Sequence, residues 1–245
     1  MTIDHIAVIA DNDEAFTAAV SAPGALRQKV PSCPDWTVAD LVYHLAEVQA
    51  YWTLVLRAGG ERPDHEEAAA AGEAGDDLLG FWRRCRDGLL AALRSTDPDA
   101  PTWCWWAADR RTTARDVTWR QAHEVLVHRW DAELAIGEPR PVDPALAADG
   151  VDEFVARYVD DAPWAATEGG LVGLRATDVR GEWKFLCEPS GVQRSRAAHS
   201  RPDVVVAGTA EQLDLLLWRR VSLADLAVSG DRALAMAFLA APDLS

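Results

Sequence analysis

Residues 118–137 read TWRQAHEVLVHRWDAELAIG and form the most clearly bounded helical segment of the chain. Thr118 is a residue that favours the N-cap, and Gln121 stands three positions later, where a capping box has its second member. Gly137 and Pro139 supply the signals at which helices usually end. The sequence therefore predicts a helix over 118–136.

Two residues of this helix are candidate metal ligands. Glu124 and His128 are four positions apart, so their side chains leave one face about a turn apart, a spacing that can bind one ion. At about 100° per residue, His123 and His128 lie about 140° apart around the axis. The segment is therefore not the HExxH helix of zinc proteases. Exposed helices often carry Glu and His at this spacing without any metal, so the pair needs a third ligand.

His44 is the natural third ligand. It lies in the middle of a second predicted helix, which has Thr37 as N-cap, Asp40 in the capping-box position and apolar neighbours such as Leu41 and Leu45. Two His and one Glu would leave a coordination position open, as in catalytic rather than structural zinc sites. The alternative is a half-buried histidine with an ordinary hydrogen bond.

Composition excludes several classes of protein. The chain has 245 residues, nearly half of them hydrophobic, so it can bury a substantial core and is not disordered. A formal net charge of −15 argues against binding to nucleic acid or anionic membranes. No apolar run is long enough to span a membrane, and the first residues are not typical of a signal peptide. We expect a cytoplasmic protein. The excess of Arg over Lys indicates a GC-rich, actinobacterial type of genome.

The four cysteines do not suggest a thiolate site. They are far apart and form no CxxC pair, at positions Cys33, Cys85, Cys104 and Cys187. In a cytoplasmic protein, disulfides between them are not expected. Cys33 stands near two prolines without an evident base, which favours a small structural residue over a nucleophile. Any metal site should therefore use nitrogen and oxygen ligands.

The patterning indicates an α+β chain of two domains. Four helical segments, at 3–27, 37–58, 77–95 and 118–136, predict a four-helix bundle over residues 1–142, where ligand and metal sites lie between facing helices. Residues 30–36 are predicted to be a Pro-containing loop and residues 61–76 a polar one. Residues 143–245 are predicted to be a small α+β domain. A linking helix at about 144–160 begins it, followed by strands at 171–177, 183–188, 192–197 and 204–207, a helix at 209–220, a strand at 223–228 and a helix at 230–240.

Three separated motifs resemble one protein family. They are VPSCPDWTVADLVYHLAEV (residues 30–48), AHEVLVHRWDAELAIG (122–137) and VAGTAEQLDLLLWRRVSLADLAVSGDRAL (206–234). The chain resembles the mycothiol-dependent maleylpyruvate isomerase family of DinB-like metalloenzymes, whose patterns are CPxWxVxDLxxHL, HExxxHRxDAE and GTAxDLLLLLWxR followed by VxGD. The resemblance covers essentially the whole chain.

This resemblance implies a DinB-like four-helix bundle with a small α+β domain. It implies a divalent metal, with Zn²⁺ as the expected ion, on His44, Glu124 and His128. The metal would ionise mycothiol as thiol cosubstrate for attack on an electrophilic small molecule. A cis–trans isomerase returns the thiol after rotation about the attacked double bond, whereas an S-transferase leaves it attached. The sequence does not distinguish these two outcomes, nor a monomer from a homodimer.

Four further residues are candidates around the metal. Arg219 and Arg220, at the family's WxR position, are candidate catalytic clamps for an anionic substrate, because guanidinium matches carboxylate. Alternatively they only complement a helix dipole. Trp36, and the tryptophans at 103, 105 and 106, are candidates for the pocket wall or plain core. Asp131, one turn after His128, is a candidate to orient that histidine near the cofactor, or else pairs with a nearby arginine.

Two rival functions remain open. One is a DinB-like hydrolase that uses metal-bound water, and the other is a non-catalytic ligand-binding protein with a vestigial metal site. Asp35 stands where the family commonly has Gly, and the tryptophans at 103–106 match no family motif. Both departures weaken the expectation of maleylpyruvate as substrate more than the expectation of a metal.

Overall fold

The computed structural model describes residues 3–63, 77–106, 111–137, 139–160, 162–166, 168–195 and 201–244. Within them, seven α-helices and seven β-strands fall into two compact units, Met1–Arg140 and Pro141–Ser245. The loop predicted over 61–76 lies outside the described residues from position 64 on, as does the end of the strand predicted at 192–197. None of the helices in the described ranges has the length and apolar character needed to cross a membrane.

The first unit is a helical bundle, as the sequence predicted. Its helices are α1 (His5–Val20), α2 (Val38–Ala58), α3 (Leu78–Ser95) and α4 (Ala114–Ala135). Helix α2 packs against α3, α1 packs against α4, and α2 also contacts α4. The buried side chains between them include Phe16, Leu41, Leu45, Trp82 and Leu89. The candidate ligands lie on α2 and α4, so the contact between these two helices decides whether they meet.

Helix α2 begins where the sequence predicted. Thr37 is its N-cap, and Asp40 completes the capping box by accepting a hydrogen bond of 2.7 Å from the Thr37 backbone N–H. The segment before it is not the loop that was predicted. Strands β1 (Lys29–Val30) and β2 (Cys33–Thr37) form a short antiparallel hairpin in which Val30 pairs with Cys33. The two prolines of the segment are compatible with such a short hairpin because they fall in its turn and on its exposed second strand.

Helix α4 begins one turn earlier than predicted. Thr113 is its N-cap, and the Asp116 carboxylate accepts hydrogen bonds from both the backbone N–H and the hydroxyl of Thr113. Thr118 is inside the helix, where its hydroxyl donates a hydrogen bond of 2.8 Å to the Ala114 carbonyl. The predicted N-cap at Thr118 is therefore wrong, and Gln121 has no capping role. The predicted end is confirmed, with Gly137 at a φ of 84°.

The second unit is the predicted α+β fold. Helix α5 (Pro144–Phe154) continues into a π turn at Val155–Val159. A five-stranded sheet of order β5-β4-β3-β6-β7 follows, antiparallel except for the parallel pair β3 and β6. Its strands are β3 (Gly170–Ala176), β4 (Glu182–Glu188), β5 (Gly191–Arg194), β6 (Val204–Gly208) and β7 (Ala227–Gly230), with helices α6 (Ala210–Leu217) and α7 (Arg232–Ala240). The strand predicted at 223–228 is shorter, because Ser222 and Asp225 cap a 3₁₀ turn before β7.

Candidate metal centre

The three predicted ligands meet between α2 and α4. One ligand atom from each of His44, Glu124 and His128 lies within 4.8 Å of the other two. Glu124 Oε1 is 3.6 Å from His44 Nε2 and 3.3 Å from His128 Nε2. The two imidazole rings stand nearly perpendicular, with centroids 5.1 Å apart. The sequence placed these residues on two helices 80 positions apart, and the fold brings their ligand atoms to one point.

The environment of the cluster is asymmetric. Glu124 and His128 are buried on α4, whereas the side chain of His44 keeps 36% of its surface exposed. Glu124 and His128 share a face of α4 because they are one turn apart. The cluster is thus closed on the α4 side and accessible beside His44, as a site that must admit a small molecule requires.

The donor set fits a divalent transition metal. Ligand atoms about 2.0–2.2 Å from a tetrahedral zinc stand about 3.3–3.5 Å apart, close to the two distances measured here. Two imidazole nitrogens and one carboxylate oxygen suit zinc and its neighbours better than Mg²⁺ or Ca²⁺, which favour oxygen. Three protein ligands also leave a fourth position for another molecule. His44, Glu124 and His128 are therefore the residues that would hold a metal here.

A buried arginine fixes the carboxylate. Arg120, one turn before Glu124 on α4, donates a hydrogen bond to Glu124 Oε2, and both side chains are buried. The other oxygen, Oε1, faces the two histidines. Glu124 is therefore oriented to present one oxygen to the centre while the guanidinium holds the second.

Opposite charges in this cluster stabilise the ionised forms of Glu124 and His128. Burial alone raises the pKa of Glu124, but the Arg120 guanidinium and then His128 outweigh it and hold that pKa well below its usual range. Burial lowers the pKa of His128, but the carboxylates of Glu124 and Asp131 outweigh it and hold that pKa above its usual range. Glu124 is thus ionised across the physiological range. Without a metal, His128 carries a proton that an incoming cation must displace.

Asp131 orients His128. Its Oδ2 lies 3.0 Å from His128 Nδ1, which leaves Nε2 directed at Glu124. Its Oδ1 accepts a hydrogen bond of 2.5 Å from the hydroxyl of Ser32, in the hairpin before α2. Such a carboxylate partner on Nδ1 selects the tautomer in which Nε2 has the free lone pair. The arginines considered as partners for Asp131 bind other acids: Arg129 binds Glu133, and Arg115 binds Asp99.

The tryptophans divide into two groups. The ring of Trp36 lies beside His44, with centroids 5.0 Å apart. Trp106 instead packs against Trp52, two turns beyond His44 on α2, and Trp103 stacks under the Arg62 guanidinium. Trp36 therefore borders the ligand cluster, whereas Trp103 and Trp106 pack around the far end of α2.

The two candidate arginines end helix α6 in the second unit. Arg219 has a left-handed backbone with φ 61°, and its guanidinium donates a hydrogen bond of 3.0 Å to the Pro242 carbonyl. Arg220 donates from Nη1 to the carbonyl of Trp218 at 2.8 Å. Both side chains thus make contacts within their own unit. Their assignment to substrate stays a prediction.

Two residues of the site were missed by the sequence reasoning. Arg120 could have been found, since an arginine four positions before a glutamate on a helix is a frequent ion pair. Ser32 carried no such signal, because its partner Asp131 is 99 positions away. His123 is not part of this group of ligand atoms: it is fully buried, and its ring lies against His5, with centroids 6.1 Å apart.

Comparisons with known proteins agree with the motifs. A family model described as the mycothiol maleylpyruvate isomerase N-terminal domain matches residues 8–133, and the corresponding C-terminal domain model matches residues 145–237. No curated protein is similar enough in sequence to match.

Two solved structures share the fold. A crystal structure of the mycothiol-dependent maleylpyruvate isomerase superposes with a TM-score of 0.62 at 17% identity, covering 92% of both chains. A histidine-to-alanine variant of that isomerase superposes with a TM-score of 0.61 at 17% identity, again covering 92% of both chains. At this identity the likeness establishes the architecture of the chain and leaves its substrate open.

Proposed function

The chain belongs to the mycothiol maleylpyruvate isomerase family, and on this premise we propose that it is a mycothiol-dependent metalloenzyme that isomerises an electrophilic cis alkene. The observation that carries the proposal is the convergence of His44 Nε2, His128 Nε2 and Glu124 Oε1 on one point. We assign the metal centre to the bundle, residues 1–142, and a substrate-binding role to residues 143–245.

The bound metal, which we assign as Zn²⁺, would supply the positive charge that lowers the pKa of a thiol and keeps it ionised at neutral pH. The chain's own residues hold and orient the site. Arg120 keeps Glu124 turned so that one carboxylate oxygen points inward. Asp131 keeps the proton of His128 on Nδ1, so that Nε2 remains a ligand.

The reaction balances without an oxidant or reductant. The thiolate sulfur adds to one carbon of the double bond, and the electron pair moves into the conjugated carbonyl. Rotation about the resulting single bond follows. The pair then returns, the carbon–sulfur bond breaks, and the thiol is released with the trans product. If the carbon–sulfur bond stays and the enolate takes up a proton at carbon, the product is a thioether and the same addition is an S-transfer.

Two further assignments concern the surroundings of His44 and the binding of the substrate. We propose that Trp36 forms the wall beside His44, since its ring is in contact with that imidazole. For an anionic substrate we propose Arg219 and Arg220 as the clamp, because guanidinium binds carboxylate in a bidentate manner. Both arginines are anchored by hydrogen bonds to backbone carbonyls, which limits the entropy lost when a substrate binds.

A matched pair of variants tests the metal assignment. Glu124 and Glu133 are buried glutamates of the same helix, each paired with an arginine four positions earlier. Glu124→Gln should lose stoichiometric zinc and thiol-dependent turnover. Glu133→Gln should keep both and lose only stability. Equal zinc contents in the two variants would contradict the assignment.

The activity is tested with mycothiol and maleylpyruvate. The proposal expects turnover that depends on the thiol and yields a trans product with the thiol regained. A stable thioether would instead identify a transferase. Turnover of the same substrate at an unchanged rate without thiol would overturn the proposal, since a hydrolase using metal-bound water needs none.

A further inference from the structure

Gln121 is a buried amide that the proposed chemistry does not use. The residue is only 1% exposed, and neither its amide oxygen nor its amide nitrogen has a hydrogen-bond partner among the residues the structure describes. Nearly all buried polar groups in proteins are hydrogen-bonded, because an unsatisfied one costs about 1–3 kcal/mol. A leucine would fill such a position without that cost.

The position of Gln121 on α4 relates it to the metal centre. At about 100° per residue, it leaves the helix within about 60° of Glu124 and about 20° of His128. It is one turn nearer the N-terminus than Glu124, an axial step of about 4.5 Å. Gln121 therefore lies on the face of α4 that carries both ligands and that meets His44 of α2.

We propose that Gln121 binds the thiol cosubstrate, through an uncharged group of that molecule that both donates and accepts a hydrogen bond. This assignment rests on the proposed function. An amide has two N–H donors and one carbonyl acceptor, so a ligand satisfies it fully only by offering both kinds of atom. A secondary amide or a hydroxyl does so, whereas a carboxylate only accepts and would leave the Gln121 oxygen unpaired.

This chemistry distinguishes the two substrates. An anionic electrophile offers carboxylates, which are better matched by arginine than by a neutral amide. The polar, uncharged part of the thiol is the better partner for Gln121. The same residue would then hold the thiol close to the centre that ionises its sulfur, which is a positioning role that raises effective concentration.

The test uses Gln121→Leu in the metal-loaded protein, with Gln121→Met as a second variant of nearly the same length. We expect the KM for mycothiol to rise about tenfold, the value of one or two lost hydrogen bonds between neutral groups. The KM for maleylpyruvate should change less than twofold. The thermal midpoint of the ligand-free protein should be equal or higher, because the substitution removes an unsatisfied buried amide.

Gln49→Leu is the matched control. Gln49 is also a fully buried glutamine of the bundle, but its amide nitrogen donates a hydrogen bond of 2.9 Å to Asp13. This variant should lower the thermal midpoint and leave the KM for mycothiol unchanged. A purely structural Gln121 would behave in the same way as Gln49.

Two results would overturn the assignment. One is a KM for mycothiol within twofold of wild type in either folded Gln121 variant. The other is a rise confined to the KM for maleylpyruvate, which would place Gln121 on the electrophile. The wild-type protein is assayed before any variant. If it shows no thiol-dependent turnover, the proposed function itself is overturned.

Discussion

The hydroxyl of Ser32 donates a hydrogen bond of 2.5 Å to Oδ1 of Asp131, which is 99 positions further along the chain. The second oxygen of the same carboxylate lies 3.0 Å from His128 Nδ1. The hairpin of β1 and β2 is thereby connected to a candidate metal ligand on α4. A carboxylate held at both oxygens rotates less freely, so the imidazole it contacts is also held in one orientation.

Ser32→Ala should therefore weaken metal binding without removing a ligand. Partners beyond the ligands typically change metal affinity by about 10- to 100-fold, and since Ser32 acts through Asp131 we expect a loss of about tenfold. Ser32→Thr keeps the hydroxyl and should restore most of the affinity. The measurement is zinc affinity by competition with a chromophoric chelator.

Ser95→Ala is the control for this prediction. The hydroxyl of Ser95 donates to the Ala92 carbonyl at the end of α3, remote in sequence from all three ligands. Its removal should leave zinc affinity unchanged. Wild-type affinity in Ser32→Ala, or an equal loss in Ser95→Ala, would contradict a positioning role for Ser32.

The ligand face was predictable because it depends on local periodicity. Glu124 and His128 follow from a spacing of four on a helix, and Thr37 with Asp40 marks the start of the helix that carries His44. The meeting of the two helices required the family resemblance, since periodicity alone does not say which helix faces which. The resemblance in turn rests on motifs that keep the same order in both domains.

Other features depend on contacts that have no local pattern. The hydrogen bond from Ser32 to Asp131 joins a hairpin to a helix, and nothing at either position predicts the other. The start of α4 was misplaced for a different reason. Two pairs have capping-box spacing, Thr113 with Asp116 and Thr118 with Gln121. Which pair starts the helix depends on where the preceding chain leaves the helix axis, and neither pair indicates this.

The corrected start of α4 can be tested directly. Asp116 accepts two hydrogen bonds from Thr113, so Asp116→Ala should lower the free energy of unfolding by about 1 kcal/mol. Thr118→Ala removes a methyl group and a hydroxyl that bonds back to Ala114, and alanine is the better helix former. We expect a change within about 0.5 kcal/mol for it. Chemical denaturation of both variants measures the difference, and the opposite order would favour a start at Thr118.

Arg219 occupies a position that favours glycine. The Arg219 N–H donates to the Leu216 carbonyl and the Arg220 N–H donates to the Leu215 carbonyl, which is the Schellman pattern at the end of α6. Arg219 is the left-handed residue of that motif, with φ 61°. An arginine at this strained position, where glycine would be relaxed, agrees with the proposal that Arg219 binds the substrate, because strained residues concentrate at functional sites.

Two substitutions at Arg219 separate strain from contact. Both remove the hydrogen bond to the Pro242 carbonyl, but only Arg219→Gly relieves the left-handed backbone. We expect Arg219→Gly to be more stable than Arg219→Ala by about 1 kcal/mol. If Arg219 binds substrate, both variants should raise the KM for maleylpyruvate equally. An unchanged KM for maleylpyruvate in both variants would show that Arg219 only ends the helix and does not bind the substrate.

A buried acid in the bundle should make stability depend on pH. Asp13 on α1 is fully buried, and Gln49 on α2 donates one hydrogen bond of 2.9 Å to its Oδ1. Burial raises the pKa of Asp13 to about 7, against smaller opposing contributions from Gln49 and Arg86. Neither Asp13 Oδ2 nor the amide oxygen of Gln49 has a hydrogen-bond partner among the described residues.

The sign of the effect follows from proton binding. The unfolded chain loses the Asp13 proton near pH 4, whereas the folded chain keeps it until about pH 7. The folded state therefore binds more protons in this window, and the Asp13 contribution to the free energy of unfolding should fall as pH rises from 4 to 7 and then stay constant. Asp13→Asn imitates the protonated acid, so it should remove this slope and exceed wild-type stability at pH 8, by on the order of 4 kcal/mol at most. Urea denaturation at pH 5, 6, 7 and 8 measures it, with exposed Asp11→Asn on the same helix as control. A slope that persists in Asp13→Asn, or disappears in Asp11→Asn, would show that another group carries the dependence.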